Sequence, residues 1–199
     1  DKNSVTAHDF SILGNKAKEL KLSPLRFTKC VKTDAELEHY KDAFKRTDKA
    51  LLETRKFIEE NDNISELDIK NELENNFRKF GAVGQSFTSI IAKDENSALA
   101  HYSKSSKEEI LKNGSLVLID CGGYFEGGLA TDITRVFVKG EPSELQKQIY
   151  TTVLKAFLRA FNSTNTNSGY VIDKVARDFL EENAPDGFVF NHGLGHGIG

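Results

Sequence analysis

Asp120 closes the apolar run LVLI at 116–119, and Asp132 follows twelve residues later, across a glycine-rich stretch at 122–128. Side chains on a strand alternate between faces, so Asp120 falls on the side of Leu116 and Leu118, where the pattern asks for an apolar group. If the flanking apolar runs form a hairpin turning about Glu126, the even separation sets the two aspartates opposite each other on one face. Two carboxylates that close repel unless they share a proton or a metal ion, or each accepts backbone hydrogen bonds in an irregular loop. His192 and His196 weigh toward a shared ligand. Their spacing matches a helical zinc pair, but Gly193, Gly195, Gly197 and Gly199 disfavour helix by about 1 kcal/mol each. In an extended chain the even spacing still keeps both rings on one side, and the glycines admit a substrate or another backbone. Two of only five histidines, together with two aspartates where core residues belong, indicate a metal or substrate site.

Three further features are weaker. His101, in the loop-like segment NSALAHYS, is either a plain hydrogen-bonding histidine or a proton shuttle or oxyanion partner, and spacing leaves both open. Cys121 has no base assignable to it and is expected to be a small buried residue. The pairs Gly122-Gly123 and Gly127-Gly128 make no phosphate loop, because no lysine follows at the required spacing and no helix opens there.

The elements that must position these residues are marked by local signals. Residues 1–25 lack a sustained period apart from a helical candidate at 13–20. Thr33 with Glu36 forms a capping box opening a long helix to about residue 60, with Leu37, Tyr40, Phe44, Leu51, Leu52 and Ile58 at helical spacing. Ser65 with Asp68 opens a second helix to about residue 80, stopped by Gly81 and Gly84. Strands are expected at 87–92, 116–120 and 133–138. Ser143 with Gln146 caps a third helix carrying Ile149, Val153, Phe157 and Phe161, and after a polar loop at 162–168 a fourth carries Val171, Val175 and Phe179. A short strand at 188–190 leads into HGLGHGIG. This order indicates an α+β fold, a curved antiparallel sheet covered by helices.

Composition bounds the function classes. The chain has 199 residues, 38% hydrophobic and 29% charged, which is that of a folded globular protein. A net charge of −3 gives no basic footprint for nucleic acid or anionic lipid, and no apolar stretch has the length of a membrane span. Cys30 and Cys121 lack metal-ribbon or disulfide-scaffold spacing, so a reducing, cytoplasmic setting is expected. The chain opens at Asp1 and stops within the glycine run, as a piece of a longer protein would.

The segment LVLIDCGGYFEGGLATDITRVF followed by HGLGHGIG resembles the metal-binding core of the dinuclear metallopeptidases with the pita-bread fold, most closely the aminopeptidase P and prolidase branch. SPLRFTKCVKTDAELEHYKDA is similar to the junction by which those enzymes enter their catalytic domain from an N-terminal creatinase-like domain. The resemblance implies that residues 1–28 are a linker or the tail of such a domain, and 29–199 the N-terminal portion of a pita-bread domain. It implies that Asp120 chelates one metal ion, that Asp132 bridges two and that His196 is the single histidine ligand. His192 would lie at the substrate side of the pocket, and His101 would contact the scissile amide or the tetrahedral intermediate. The interval between the aspartates is one residue longer than in much of the family, which implies a longer hairpin loop with unmoved ligands.

The implied activity is that of a proline-specific metallo-aminopeptidase, releasing the N-terminal residue of peptides with proline second. Two divalent ions would serve it, manganese ahead of zinc or cobalt, because carboxylates with one imidazole favour harder ions. A prolidase acting on dipeptides and a non-catalytic pita-bread binding module are the alternatives, and a homodimer is left open. The family draws two glutamate ligands from beyond the glycine motif, so the 199-residue chain by itself is expected to bind metal weakly and to be inactive.

Overall fold

The computed structural model describes residues 6–16, 23–165 and 168–198. Its order is α1 (Ala7–Leu13), α2 (Pro24–Cys30), α3 (Asp34–Glu60), α4 (Glu66–Lys79), β1 (Gly84–Gln85), β2 (Ile90–Lys93), β3 (Leu116–Cys121), β4 (Gly123–Phe125), β5 (Leu129–Ala130), β6 (Ile133–Val138), α5 (Glu144–Asn162) and α6 (Gly169–Asn183). The strands form two antiparallel three-stranded sheets, β2-β3-β6 and β1-β4-β5, flanked by helices in an α+β arrangement. No helix among the described residues is long and apolar enough to cross a membrane.

Capping boxes form at Thr33, Ser65 and Ser143, where each hydroxyl accepts from the backbone three residues on and the side chain there returns the bond. Such a cap stabilises a helix by about 1 kcal/mol and depends only on neighbours in sequence, which is why the starts of α3, α4 and α5 fall where expected. The helical candidate at 13–20 is corrected: α1 ends at Leu13, capped at its start by Thr6 with Asp9, a 3-10 turn follows at Gly14–Lys16, and residues 17–20 lie outside the described set.

α3 and α4 cover one face of the β2-β3-β6 sheet, burying Ile69, Leu73 and Phe77 against Ile91, Val117, Ile119 and Cys121. Full burial of each such side chain contributes about 1.5–3 kcal/mol. The buried stripe of α3 runs through Tyr40, Ala43, Thr47, Ala50, Leu51, Thr54 and Ile58, whereas Leu37 and Leu52 are exposed. Ala43, Thr47, Ala50 and Thr54 are the small members of that stripe, and there the helix lies close enough to the segment between β5 and β6 for Thr47 Oγ1 and Thr131 Oγ1 to stand 2.8 Å apart.

Three further expectations are corrected. The strand expected at 87–92 begins at Ile90. Residues 188–190 form no strand, since no neighbour among the described residues pairs with them; Phe188 and Val189 are exposed, and the Phe188 amide donates to Pro185 O. The core face of β3 is also the reverse of that expected. Val117, Ile119 and Cys121 are buried under the helices, while Leu116, Leu118 and Asp120 lie half-buried on the other face.

α5 and α6 pack on each other through Ala156, Ala160, Ala176 and Phe179, a second small core apart from the first. Gln146 Nε2 donates to Gly114 O at 2.9 Å, tying the start of α5 to the turn before β3.

Candidate metal centre

The β3-β6 ladder pairs Asp120 with Thr134 and Cys121 with Ile133. β4 and β5 continue the same register, with Tyr124 opposite Ala130 and Phe125 opposite Leu129. The ribbon therefore turns about Gly127 rather than Glu126. Gly127 and Gly128 both hold positive φ, 86° and 75°, the region that favours glycine and suits a tight turn. The consequence is a correction of one step: Asp120 faces Thr134, and Asp132 is displaced two residues along the same face instead of directly opposite.

Between the two ladders the chain crosses itself closely. A Cβ on Gly122 would sit 1.9 Å from Thr131 O and 2.3 Å from Ser86 Oγ, so only glycine fits there. Thr131, fully buried, accepts from the Gly123 amide at 3.0 Å through its hydroxyl, and its carbonyl accepts from Ser86 Oγ at 2.8 Å. These bonds fix the residue immediately before Asp132. Nothing in residue type or spacing marks Thr131 beforehand, because its partners come from α3, β4 and the segment after β1.

Asp120 Oδ1 accepts from Thr134 Oγ1 at 2.9 Å. Burial holds its carboxyl above the usual carboxylate range; the Thr134 hydroxyl opposes this, the nearby Asp132 carboxylate adds to it, and the His101 and His192 imidazoles pull it down. Asp132 Oδ2 lies 3.4 Å from His196 Nε2. His196 Nδ1 meets Gly197 O at 2.9 Å, which leaves Nε2 turned toward the carboxylate. The run at 192–198 is irregular rather than helical, in keeping with its alternating glycines.

His101 and His192 stand edge to face with ring centroids 6.1 Å apart, on the Asp120 side of the site. His101 occupies the left-handed region at φ 64°. The His192 segment is tied back to α6 by Arg177, whose Nη2 donates to His192 O at 2.6 Å and Nη1 to Phe190 O at 3.1 Å. Asp173 holds the same guanidinium through Nε at 2.6 Å and Nη2 at 3.1 Å. An (i,i+4) pair such as Asp173–Arg177 usually lies on a solvated helix face, so sequence alone gives no reason to assign it this clamp. Cys121 is fully buried and burial pushes its thiol far up, which removes it as a nucleophile.

Asp120, Asp132, His196, His101 and His192 are thus brought to one end of the ribbon in two groups, Asp132 with His196 and Asp120 with the facing imidazoles. Among the described residues, no three His, Cys, Asp or Glu side chains converge tightly enough to hold an ion. The donor chemistry nonetheless fits a divalent cation. Two neighbouring carboxylates, one half-buried, have no lysine or arginine partner among the described residues, and an imidazole nitrogen points at one of them.

Residues 38–199 match metallopeptidase family M24. A relative from Arthroderma otae, a probable Xaa-Pro aminopeptidase P, is 33% identical over 186 residues, covering 89% of this chain and 29% of its own length. The solved Xaa-Pro dipeptidase from Bacillus anthracis superposes on all of this chain and 56% of its own, with TM-score 0.83 and 33% identity. The X-Pro aminopeptidase from Thermotoga maritima superposes on 80% of this chain and 44% of its own, with TM-score 0.73 and 34% identity. The chain spans between 29% and 56% of the length of these relatives.

Proposed function

The chain belongs to metallopeptidase family M24, and from that premise we propose that the protein containing it is an Xaa-Pro metallo-aminopeptidase. The observation that carries this reading is the meeting of Asp132 with His196 beside a half-buried Asp120 that no lysine or arginine pairs with among the described residues. Asp120, Asp132 and His196 would hold two divalent ions, with manganese the preferred metal for so oxygen-rich a set and zinc or cobalt accepted. When bound, the ions supply Lewis-acid polarisation of the scissile carbonyl and lower the pKa of the attacking water toward neutrality.

The remaining steps fall to side chains of this chain. Thr134 Oγ1 occupies one lone pair of Asp120 Oδ1 and orients that carboxylate. Gly197 O, by engaging His196 Nδ1, fixes the tautomer that leaves Nε2 as the donor atom. His101 would donate a hydrogen bond to the oxygen on which charge develops. His192, across the 6.1 Å ring contact and held by Arg177, would seat the substrate against it. The glycine-rich run lets a peptide backbone approach without a Cβ in the way.

A second reading, an Xaa-Pro dipeptidase, is favoured by the superposition of all of this chain on 56% of the Bacillus anthracis enzyme of that name. Assay of the full-length protein with manganese on Xaa-Pro-Yaa tripeptides and Xaa-Pro dipeptides separates the two. Release of the first residue from tripeptides supports the aminopeptidase; cleavage of dipeptides alone supports the dipeptidase; cleavage of neither overturns both.

A further inference from the structure

Glu66, the first residue of α4, is fully buried, and its carboxylate is surrounded only by donors. Oε1 accepts from the Lys93 amide at 2.7 Å and Asn96 Nδ2 at 3.0 Å, while Oε2 accepts from Tyr102 Oη at 2.8 Å and the Ser106 amide at 3.3 Å. Those four donors bracket the loop that carries His101. The same helix end is joined to the far side of that loop by Glu66 N to Glu109 O at 3.1 Å and Leu67 N to Ser106 O at 3.3 Å. Burial, then the hydrogen bond to Glu66, push Tyr102 up to about 12, so its hydroxyl stays a donor throughout the neutral range.

His101 itself needs such support. At φ 64° it holds the left-handed region, which is uncommon for a residue with a Cβ although histidine enters it more readily than most, so local bonds are needed to keep it there. Its neighbour Tyr102 is the anchored residue, fixed by Glu66 and, on its other side, by Asn96 Nδ2 at 3.2 Å. The ring so placed meets His192 edge to face, with centroids 6.1 Å apart. A buried carboxyl whose two oxygens each accept two hydrogen bonds is a rigid post, because loss of one donor leaves the others in place.

We infer that Glu66 is a positioning residue for His101: its buried carboxylate, through Tyr102 and the flanking amides, holds the His101 imidazole edge to face against His192. The catalytic consequence rests on the proposed function, whereas the structural one does not. Glu66→Gln preserves volume but turns an NH2 group against donors on one side, which drives that side of the loop outward. Tyr102→Phe is the milder change, removing one donor and leaving the carboxylate with three.

The test uses the full-length protein with two readouts. In steady-state cleavage of an Xaa-Pro peptide, Tyr102→Phe and Glu66→Gln should lower kcat by about tenfold or more with KM little changed, as expected of a misplaced group acting in the transition state. Placed in a His101→Ala background, Tyr102→Phe should cost nothing further. Independently of activity, the His101 imidazole resonance of the metal-free protein, identified by its loss in His101→Ala, should shift in Tyr102→Phe while that of His39 stays. Equal kcat losses with and without His101, or an unmoved His101 resonance, overturn the inference. Should the wild-type protein cleave no Xaa-Pro bond, the proposed function fails and the resonance alone decides the position of His101. Should Glu66→Gln not fold, Tyr102→Phe carries both readouts.

Discussion

Thr134 stands directly across the β3-β6 ladder from Asp120, and its hydroxyl donates to Asp120 Oδ1 at 2.9 Å. The pair makes the register of a hairpin into the orientation of a carboxylate. Thr134→Val keeps the β-branched shape and removes the donor, leaving Asp120 free to rotate. The expected result is a fall of about tenfold in manganese affinity of the full-length protein, since supporting bonds of this kind tune a ligand by about 10–100-fold. Thermal unfolding should be little changed, because Thr134 is exposed. Calorimetric titration beside a melting curve measures both.

The carboxyl of Asp120 is raised by burial and by Asp132, and this fixes a sign for the metal-free protein. A carboxyl whose folded pKa exceeds its unfolded value stabilises the fold below the unfolded value and loses that contribution as pH rises through the folded one. At neutral pH the ionised Asp120 is therefore a cost. In chelator, Asp120→Asn should melt above wild type at pH 7, with the difference shrinking as pH falls toward the ordinary carboxylate value of 3.8. Added manganese should reverse the order, since only wild type gains from binding.

Lys139 closes the C-terminal end of α3 from a buried position. Its Nζ donates to Ile58 O at 2.9 Å, Asn61 O at 2.8 Å and Glu59 O at 3.3 Å. Lys139→Met should destabilise the fold by about 2–3 kcal/mol, because the carbonyls of the helix end lose a charged donor. Urea denaturation gives the figure, and the metal stoichiometry of the folded variant should be that of wild type.

Gly122→Ala places a methyl group against Thr131 O, in backbone that cannot yield without moving Asp132. A loss of about 3 kcal/mol in unfolding free energy is expected, together with weakened metal binding in whatever folded protein remains. Gly127→Ala meets open space and is strained only by its positive φ, so it should cost about 1 kcal/mol and leave metal binding intact.

What was legible in the sequence was local. Thr33 with Glu36, Ser65 with Asp68 and Ser143 with Gln146 announce helix starts because both partners of a capping box lie within one turn. The alternating glycines of 192–198 exclude helix for the same reason. Even the parity of Asp120 and Asp132 carries through, since a shift of the turn by one residue moves the pairing by two. What was hidden needed the tertiary partner. Which face of β3 goes inward is settled by where α3 and α4 dock, so Val117 and Ile119 are buried instead of Leu116 and Leu118. The centre of the hairpin depends on the paired left-handed glycines 127 and 128. Glu66, Thr131 and Arg177 act through bonds to distant segments, and no spacing in the chain marks them.

The central claim is that Asp120, Asp132 and His196 hold divalent metal for peptide hydrolysis, and Asp132 is the residue on which it turns. Titration of manganese into the full-length wild-type protein and its Asp132→Ala variant, followed by isothermal calorimetry, tests it directly. Wild type should bind two ions tightly, the variant should lose that binding, and Xaa-Pro cleavage should fall at least about a thousandfold. Unchanged stoichiometry and affinity in Asp132→Ala would show that Asp132 holds no metal ion.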